Sequence, residues 1–262
     1  MPSSNEPQDS NIEVRCYFVR NRNALAVRAD FAPAYLDHYL HLMQHEIRMD
    51  PDHDGKLKDA LACCTLHLAS RPWNEVSAWT VHCSELNLNL FVTGNSREGN
   101  IIGRIFTEDI KDDGKNLFIA QINDFPKEPR KSVIEFEVNN SLFDITEQYY
   151  RKSEQRPARF FSHSEEDFVL ISAQPQCDEQ WFNSLDDEAV RKLDNDEELS
   201  LLETRKYRYH CGCNPERILL KLAGVRAEEI FGERDSVSID CPRCAARFRI
   251  TRGDFEELKR KD

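Results

Sequence analysis

The sequence predicts an α+β fold: a mostly antiparallel sheet core domain with packed helices, then a helical linker and a small C-terminal module. Three observations carry that reading. Between Val76 and Val138, short apolar runs recur with strand-like period, separated by Gly, Asn, Asp and Pro. Ahead of them, two stretches repeat apolar residues at helical spacing. Near the C-terminus, four of the nine cysteines fall into two close pairs.

In chain order, the polar stretch to Ser10, with Pro2 and Pro7, reads as a disordered tail. Apolar and polar residues roughly alternate from Val14 to Phe31 around Asn21-Arg22-Asn23, a hairpin signal. Pro33 opens a helix marked by Tyr35, Tyr39, Leu42 and Ile47, and a second helix carries Leu57, Leu61, Cys64 and Leu68. The run Asp50-Pro51-Asp52-His53-Asp54-Gly55 looks like the start of a calcium loop, but its twelfth position is Leu61 instead of a bidentate Glu. It reads as a solvated turn between the helices.

Five strands are expected at Val76–Cys83, Leu88–Thr93, Ile101–Phe106, Leu117–Ile122 and Val133–Val138. Phe143–Arg151 returns to helix, Asp167–Ala173 to strand, and Pro175 marks a boundary. Helical patterns follow at Glu188–Leu193 and Glu197–Leu202, and Arg247–Thr251 reads as a strand. The expected organisation is a tail over 1–10, a core domain over 11–175, an acidic helical linker over 176–210 and a module over 211–262.

At 262 residues the chain is long enough for one large domain and a smaller one. A mean hydropathy of -0.65 and a net charge of -12 describe a hydrophilic acidic protein, whose field disfavours nucleic acid and anionic membrane. No stretch reaches membrane-spanning length, and Met1–Arg20 holds no apolar signal core, so a cytoplasmic, reducing location is expected. Asp178–Glu203 concentrates acidic side chains, whereas the stretch after it is weakly basic. Arg243, Arg247, Arg249 and Arg252 surround the second cysteine pair with only Phe248 interleaved, too few aromatics for a nucleic-acid surface. They are expected to answer the charge of a metal-thiolate centre and the acidic linker.

Cys211-Gly212-Cys213 and Cys241-Pro242-Arg243-Cys244 are separated by 27 residues. Zinc takes four soft or borderline ligands in a tetrahedron, and two short pairs offer two sulfurs per arm. Cys211, Cys213, Cys241 and Cys244 are therefore the candidate ligands of one zinc ion. A purely structural zinc, or a metal site that also acts as a thiol switch, both fit the spacing, because the CxC pair can also close into a strained ring. Cys63, Cys64 and Cys83 lie in apolar runs and read as small buried hydrophobes. Cys177, after the boundary, and Cys16 have no assigned role. No catalytic residues are expected. The CxxC precedes a strand, not the helix of a thioredoxin-like unit, and no paired carboxylates, nucleophile elbow or phosphate loop stand out.

These residues resemble the 33 kDa chaperonin family, the bacterial redox-regulated heat-shock holdases. The resemblance rests on Cys211-Gly212-Cys213-Asn214-Pro215-Glu216-Arg217, on Glu228-Glu229-Ile230 with Val237 to Cys244, on Phe248-Arg249-Ile250, and on Ile145 to Pro157 with its Ser153-Glu154-Gln155-Arg156-Pro157 turn. Order and spacing agree from about Val14 to Leu258. The chain departs from the family in lacking core-sheet glycines around Ser84–Leu88 and in a short linker, Pro175–His210.

The resemblance implies a non-enzymatic holdase for unfolded client proteins. Its four cysteines hold zinc when reduced and form one disulfide within each pair on oxidation, Cys211 with Cys213 and Cys241 with Cys244. Loss of the metal then unfolds module and linker, exposing Trp181, Phe182, Leu185, Leu199, Leu201 and Leu202 to clients. A homodimer is the oligomer the resemblance implies for the oxidised form. The missing glycines and short linker support a second reading, a constitutive zinc-stabilised protein-binding module without the switch.

Overall fold

The computed structural model describes residues 10–111, 114–124 and 126–261. All of the expected tail except Ser10 lies outside the described residues. The N-terminal hairpin follows from its alternation: β1 (Ile12–Val19) and β2 (Ala24–Asp30) pair antiparallel, and Asn21 and Asn23 take positive φ in the turn. α1 (Ala32–Gln44) and α2 (Pro51–Ala69) follow. Asp50 accepts a hydrogen bond from the Asp52 amide and Pro51 occupies the first turn. The calcium-like run is thus the capped start of α2. Every residue of α2 from Ala60 to Ala69 is buried, whereas α1 buries only Ala34, Tyr35 and His38.

β3 (Glu75–Cys83), β4 (Leu88–Asn95), β5 (Asn100–Phe106), β6 (Leu117–Asp124) and β7 (Arg130–Glu135) realise the five expected strands as antiparallel neighbours. α3 (Leu142–Lys152) starts from a Ser141–Asp144 capping box. β8 (Ala158–Ser162) pairs with β9 (Asp167–Ala173). β8 is not among the elements the sequence predicts, because five residues after a proline are too few for a period to register.

The stretch after Pro175 is helical only in its first half. α4 (Glu179–Ser184), α5 (Asp187–Arg191) and α6 (Leu193–Asp196) are short, and β10 (Leu199–Tyr209) then runs as a strand. This corrects the helix expected over Glu197–Leu202. The leucines favour helix locally, but β1 offers an unpaired edge, and from Thr204 onward the chain alternates, with Arg205, Tyr207 and Tyr209 buried and Lys206 and Arg208 exposed.

Among the described residues, ten strands form one sheet in the order β7-β6-β3-β4-β5-β10-β1-β2-β9-β8. β10 joins its two halves. It lies antiparallel along β1 but meets β5, in parallel, only at Arg208↔Asn100 and Tyr209↔Ile101. Gly99 permits this approach: its φ is +59°, and a Cβ there would lie 2.5 Å from the Lys206 carbonyl oxygen.

One face of the sheet packs on α2 and α3 around Trp79, Phe118, Tyr149 and Tyr150. Alternate residues of β1, β2 and β9, among them Val19, Ala26, Val169 and Ile171, point to the other face and meet Phe182, Leu185, Val190 and Leu193. Burial of each such large linker side chain contributes about 1.5–3 kcal/mol. The linker carboxylates are answered by core arginines. Arg22 pairs with Asp178 at 2.7 Å and Glu197 at 3.0 Å, and Arg28, paired within the core to Asp167 at 2.8 Å, reaches Asp194 at 3.5 Å.

Beyond β10 come α7 (Pro215–Leu222), α8 (Ala227–Phe231), β11 (Ser236–Asp240), β12 (Arg247–Thr251) and α9 (Arg252–Lys261). Leu219, Phe231, Val237, Ile250 and Phe255 form their small apolar centre. No helix among the described residues is long and apolar enough to cross a membrane.

Candidate metal centre

The two cysteine pairs come from opposite ends of the module. The CxC pair lies where β10 leaves the sheet, just after the His210 amide donates to the Ile101 carbonyl at 3.1 Å. Gly212 turns with φ +65°, and its carbonyl accepts from Arg217 Nη1 at 2.7 Å. Asn214 caps α7 by accepting from the Arg217 amide at 2.8 Å, so the pair leads directly into a helix start. The CxxC pair occupies the loop between β11 and β12. The Cys241 amide donates to the Ala246 carbonyl at 2.8 Å, the Ala245 amide donates to the Cys241 carbonyl at 2.9 Å, and Ala245 adopts φ +62° to complete the turn.

These loops bring the four candidate sulfurs together. All lie within 4.8 Å of one another, with Cys211 to Cys241 at 3.7 Å and Cys213 to Cys244 at 3.5 Å. A tetrahedral zinc with Zn–S bonds of about 2.3 Å requires S···S edges of about 3.8 Å. The donor set and its spacing therefore fit one metal ion. Cys241 and Cys244 are buried, and Cys211 and Cys213 half-buried.

Without a metal the four thiols share protons. Hydrogen bonds from the Cys211 and Cys244 thiols hold Cys241 well below the usual thiol range. Cys244 is pushed up as the donor to Cys211 and Cys241, and Cys211 is raised by its bond to Cys241. Burial pushes Cys213 up to about 12. A cluster that favours one thiolate and three thiols must shed protons to bind a cation, so affinity rises with pH.

Core residues distant in sequence complete the surroundings. Arg104 of β5 donates from Nη1 to the Cys241 carbonyl at 2.8 Å, and His41 of α1 lies with Nε2 2.8 Å from the Cys244 carbonyl. Cys241, Cys244 and Ala246 belong to the main apolar core instead of the module's own. Sequence reasoning missed both core residues, since nothing in the local pattern around Arg104 or His41 refers to a loop over a hundred positions away. Of the four arginines expected to answer the metal centre, Arg243 lies within the CxxC knuckle and the other three have partners elsewhere. Arg247 pairs with Asp240 at 2.9 Å, Arg249 with the Ser236 hydroxyl and Arg252 with the Gly232 carbonyl. Arg247 and Arg249 lie on β12 and Arg252 opens α9, whereas Arg104 and Arg217 donate to carbonyls of the knuckles.

The six candidate client-binding residues do not gather at this centre. Phe182 and Leu185 are buried in the second core and Trp181 and Leu199 lie at its margin, while Leu201 and Leu202 are 57% and 58% exposed. Cys16, Cys63, Cys64 and Cys83 are buried and Cys177 half-buried.

A family model described as Hsp33 protein matches residues 162–251, from the end of β8 through both cysteine pairs. The 33 kDa chaperonin of Edwardsiella ictaluri is 24% identical over 174 residues, covering 56% of this chain and 59% of that protein. The chain is thus similar to the 33 kDa chaperonin family over the stretch that carries both cysteine pairs. The 33 kDa chaperonin of Nitrosococcus oceani is 23% identical over 156 residues, covering 50% of this chain and 54% of its own length. These alignments thus span little more than half of either relative. The crystal structure of the 33 kDa chaperonin (Heat shock protein 33 homolog) from Thermotoga maritima superposes with a TM-score of 0.72 at 15% identity, over 96% of this chain and 98% of that one. The fold is therefore that of the Thermotoga maritima protein over nearly the whole of its chain.

Proposed function

We propose that the protein is a redox-regulated holdase that captures unfolded proteins under oxidative stress, without catalytic turnover, in the cytoplasm. The observation that carries this reading is the clustering of four thiols within 4.8 Å at the point where a strand central to the sheet enters the module. In the reduced form Cys211, Cys213, Cys241 and Cys244 hold one zinc ion. Bound zinc supplies cross-linking energy, roughly 10 to 16 kcal/mol in small modules.

Thiolates held ready at neutral pH attack peroxide or hypochlorite. Each pair of thiolates gives up two electrons to close a disulfide, Cys211 with Cys213 and Cys241 with Cys244, and for each disulfide one peroxide takes those two electrons and two protons from water to become two waters. The module's apolar centre is small, so without its cross-link it loses order. The linker is the next element to yield, since α4, α5 and α6 are each too short to persist alone. Trp181, Phe182, Leu185 and Leu199 then become available beside Leu201 and Leu202. Apolar surface of this kind binds unfolded chains and also permits an oxidised homodimer.

A second reading, a constitutive zinc-stabilised binding module, is supported by the burial of the CxxC knuckle in the main core and by the exposure of Leu201 and Leu202 in the folded chain. One experiment separates the two. Reduced protein is treated with hypochlorite while a chromophoric chelator reports zinc and light scattering reports aggregation of an unfolded client. Zinc release together with suppressed aggregation supports the switch; zinc release without suppression, or activity equal before and after oxidation, supports the constitutive module.

A further inference from the structure

The metal centre is walled by the core domain on a side that the cysteine motifs do not reveal. β5 engages both arms. Its Ile101 carbonyl accepts from the His210 amide next to Cys211, and three residues further on Arg104 donates to the Cys241 carbonyl. α1 supplies the third tether. A carbonyl only accepts, so Nε2 of His41 carries the hydrogen in its 2.8 Å contact with Cys244. The His41 ring packs edge-on against Tyr209, the last residue of β10, with centroids 5.7 Å apart. Arg104 is held in turn by the Phe106 ring, 4.4 Å from its guanidinium carbon.

We propose that Arg104 and His41 are positioning residues for the zinc site: from the core domain they hold the CxxC arm against the CxC arm and so set how fast the metal leaves. This rests on the reading that the four thiolates bind zinc. The physical case is threefold. Both side chains donate to carbonyls of ligand residues, which orients the peptide units carrying the sulfurs. Four thiolates on a divalent cation leave net negative charge, which the Arg104 cation offsets in a half-buried setting. Finally, the CxC arm is anchored through the β10–β5 pairing, so a slack CxxC arm would open the tetrahedron even with all four cysteines present.

The test uses full-length reduced protein loaded with zinc or, for spectroscopy, cobalt. Arg104→Ala and His41→Leu are compared with Arg104→Gln, with His41→Gln, whose amide can still donate, and with Arg249→Ala, whose exposed side chain donates to the Ser236 hydroxyl. Zinc transfer to a chelator is expected to be about tenfold or more faster in Arg104→Ala and His41→Leu. His41→Gln should restore most of the wild-type rate and Arg249→Ala should leave it unchanged. The cobalt ligand-field bands should weaken in the same order, a signature that loss of global stability alone does not produce. Wild-type release rates in Arg104→Ala and Arg104→Gln, or equal effects of His41→Leu and His41→Gln, would overturn the proposal. Wild-type protein that binds neither metal would instead remove the zinc reading on which it rests.

Discussion

The Sγ of Cys213 lies 3.5 Å from the Sγ of Cys244, a partner in the other arm and 31 positions further along the chain. Closure of a disulfide needs about 2.05 Å. Cys211 and Cys241 also approach across the arms, at 3.7 Å, while the proposed bonds lie within the arms, whose sulfurs sit within 4.8 Å of each other. Peptide mapping after hypochlorite therefore reports the order of events. Cys211–Cys213 and Cys241–Cys244 bonds are expected. Cross-arm bonds would mean that the module stays docked while it oxidises, and would exclude unfolding as the trigger. Cys244→Ser should weaken zinc binding by more than about 100-fold, beyond the 10–100-fold typical of changes to residues behind the ligands, as read by chelator competition.

Phe182 links the linker to the sheet. It is buried against residues of β1, β2 and β9 on the face opposite α2. Phe182→Ala should cost about 3–5 kcal/mol of linker docking. If linker exposure is what captures clients, this variant suppresses client aggregation while reduced and still zinc-bound. A reduced variant with detached linker, shown by proteolysis after Pro175, but no holdase activity would place the client surface elsewhere.

Gly99 sits where β5 and β10 meet over two residue pairs. With φ +59° and a prospective Cβ 2.5 Å from the Lys206 carbonyl, Gly99→Ala should destabilise the fold by about 1–3 kcal/mol in urea titrations. The amides of Arg208 and His210, which donate to Gly99 and Ile101, should lose hydrogen-exchange protection first.

His67 is fully buried beside Trp79, with Nδ1 3.0 Å from the Tyr150 hydroxyl. Burial, and then the charges of Arg71, Arg156 and Arg130, hold its pKa well below the ordinary histidine value. The native state thus refuses a proton that the unfolded chain takes up near pH 6.5. This contribution to stability is complete above that pH and is lost as the pH falls, with a slope of up to about 1.4 kcal/mol per pH unit. Asp59, raised to about 6 by burial, acts in the opposite sense, because its native form binds the proton more readily than the unfolded one. Urea midpoints measured between pH 5 and 7.5 should therefore decline below pH 6.5, and His67→Gln should flatten that decline. An unchanged slope in the variant would assign acid sensitivity to other histidines.

Much of the architecture was written in local pattern. The hairpin around Asn21-Arg22-Asn23, the five strands from Val76 and the paired cysteines each depend on periodicity or spacing over a few residues, and each appears where the sequence puts it. Leu199–Leu202 was not legible, because four residues rich in leucine favour helix until the open edge of β1 pairs with them. The client-facing leucines show the same limit. Composition marks Phe182 and Leu201 alike as apolar, yet one fills a core and the other faces solvent.

The sequence by itself determined the fold class and the identity of four candidate metal ligands, since period-two alternation and thiol spacing are properties of neighbouring residues. Only the tertiary structure decided that β10 joins the two halves of the sheet, that the linker carboxylates answer Arg22 and Arg28, and that Arg104 and His41 reach the knuckle. Those relations join residues far apart in the chain. They arise when burial of both sheet faces fixes where strand edges and loops meet, a constraint on the whole chain that no short window of sequence contains.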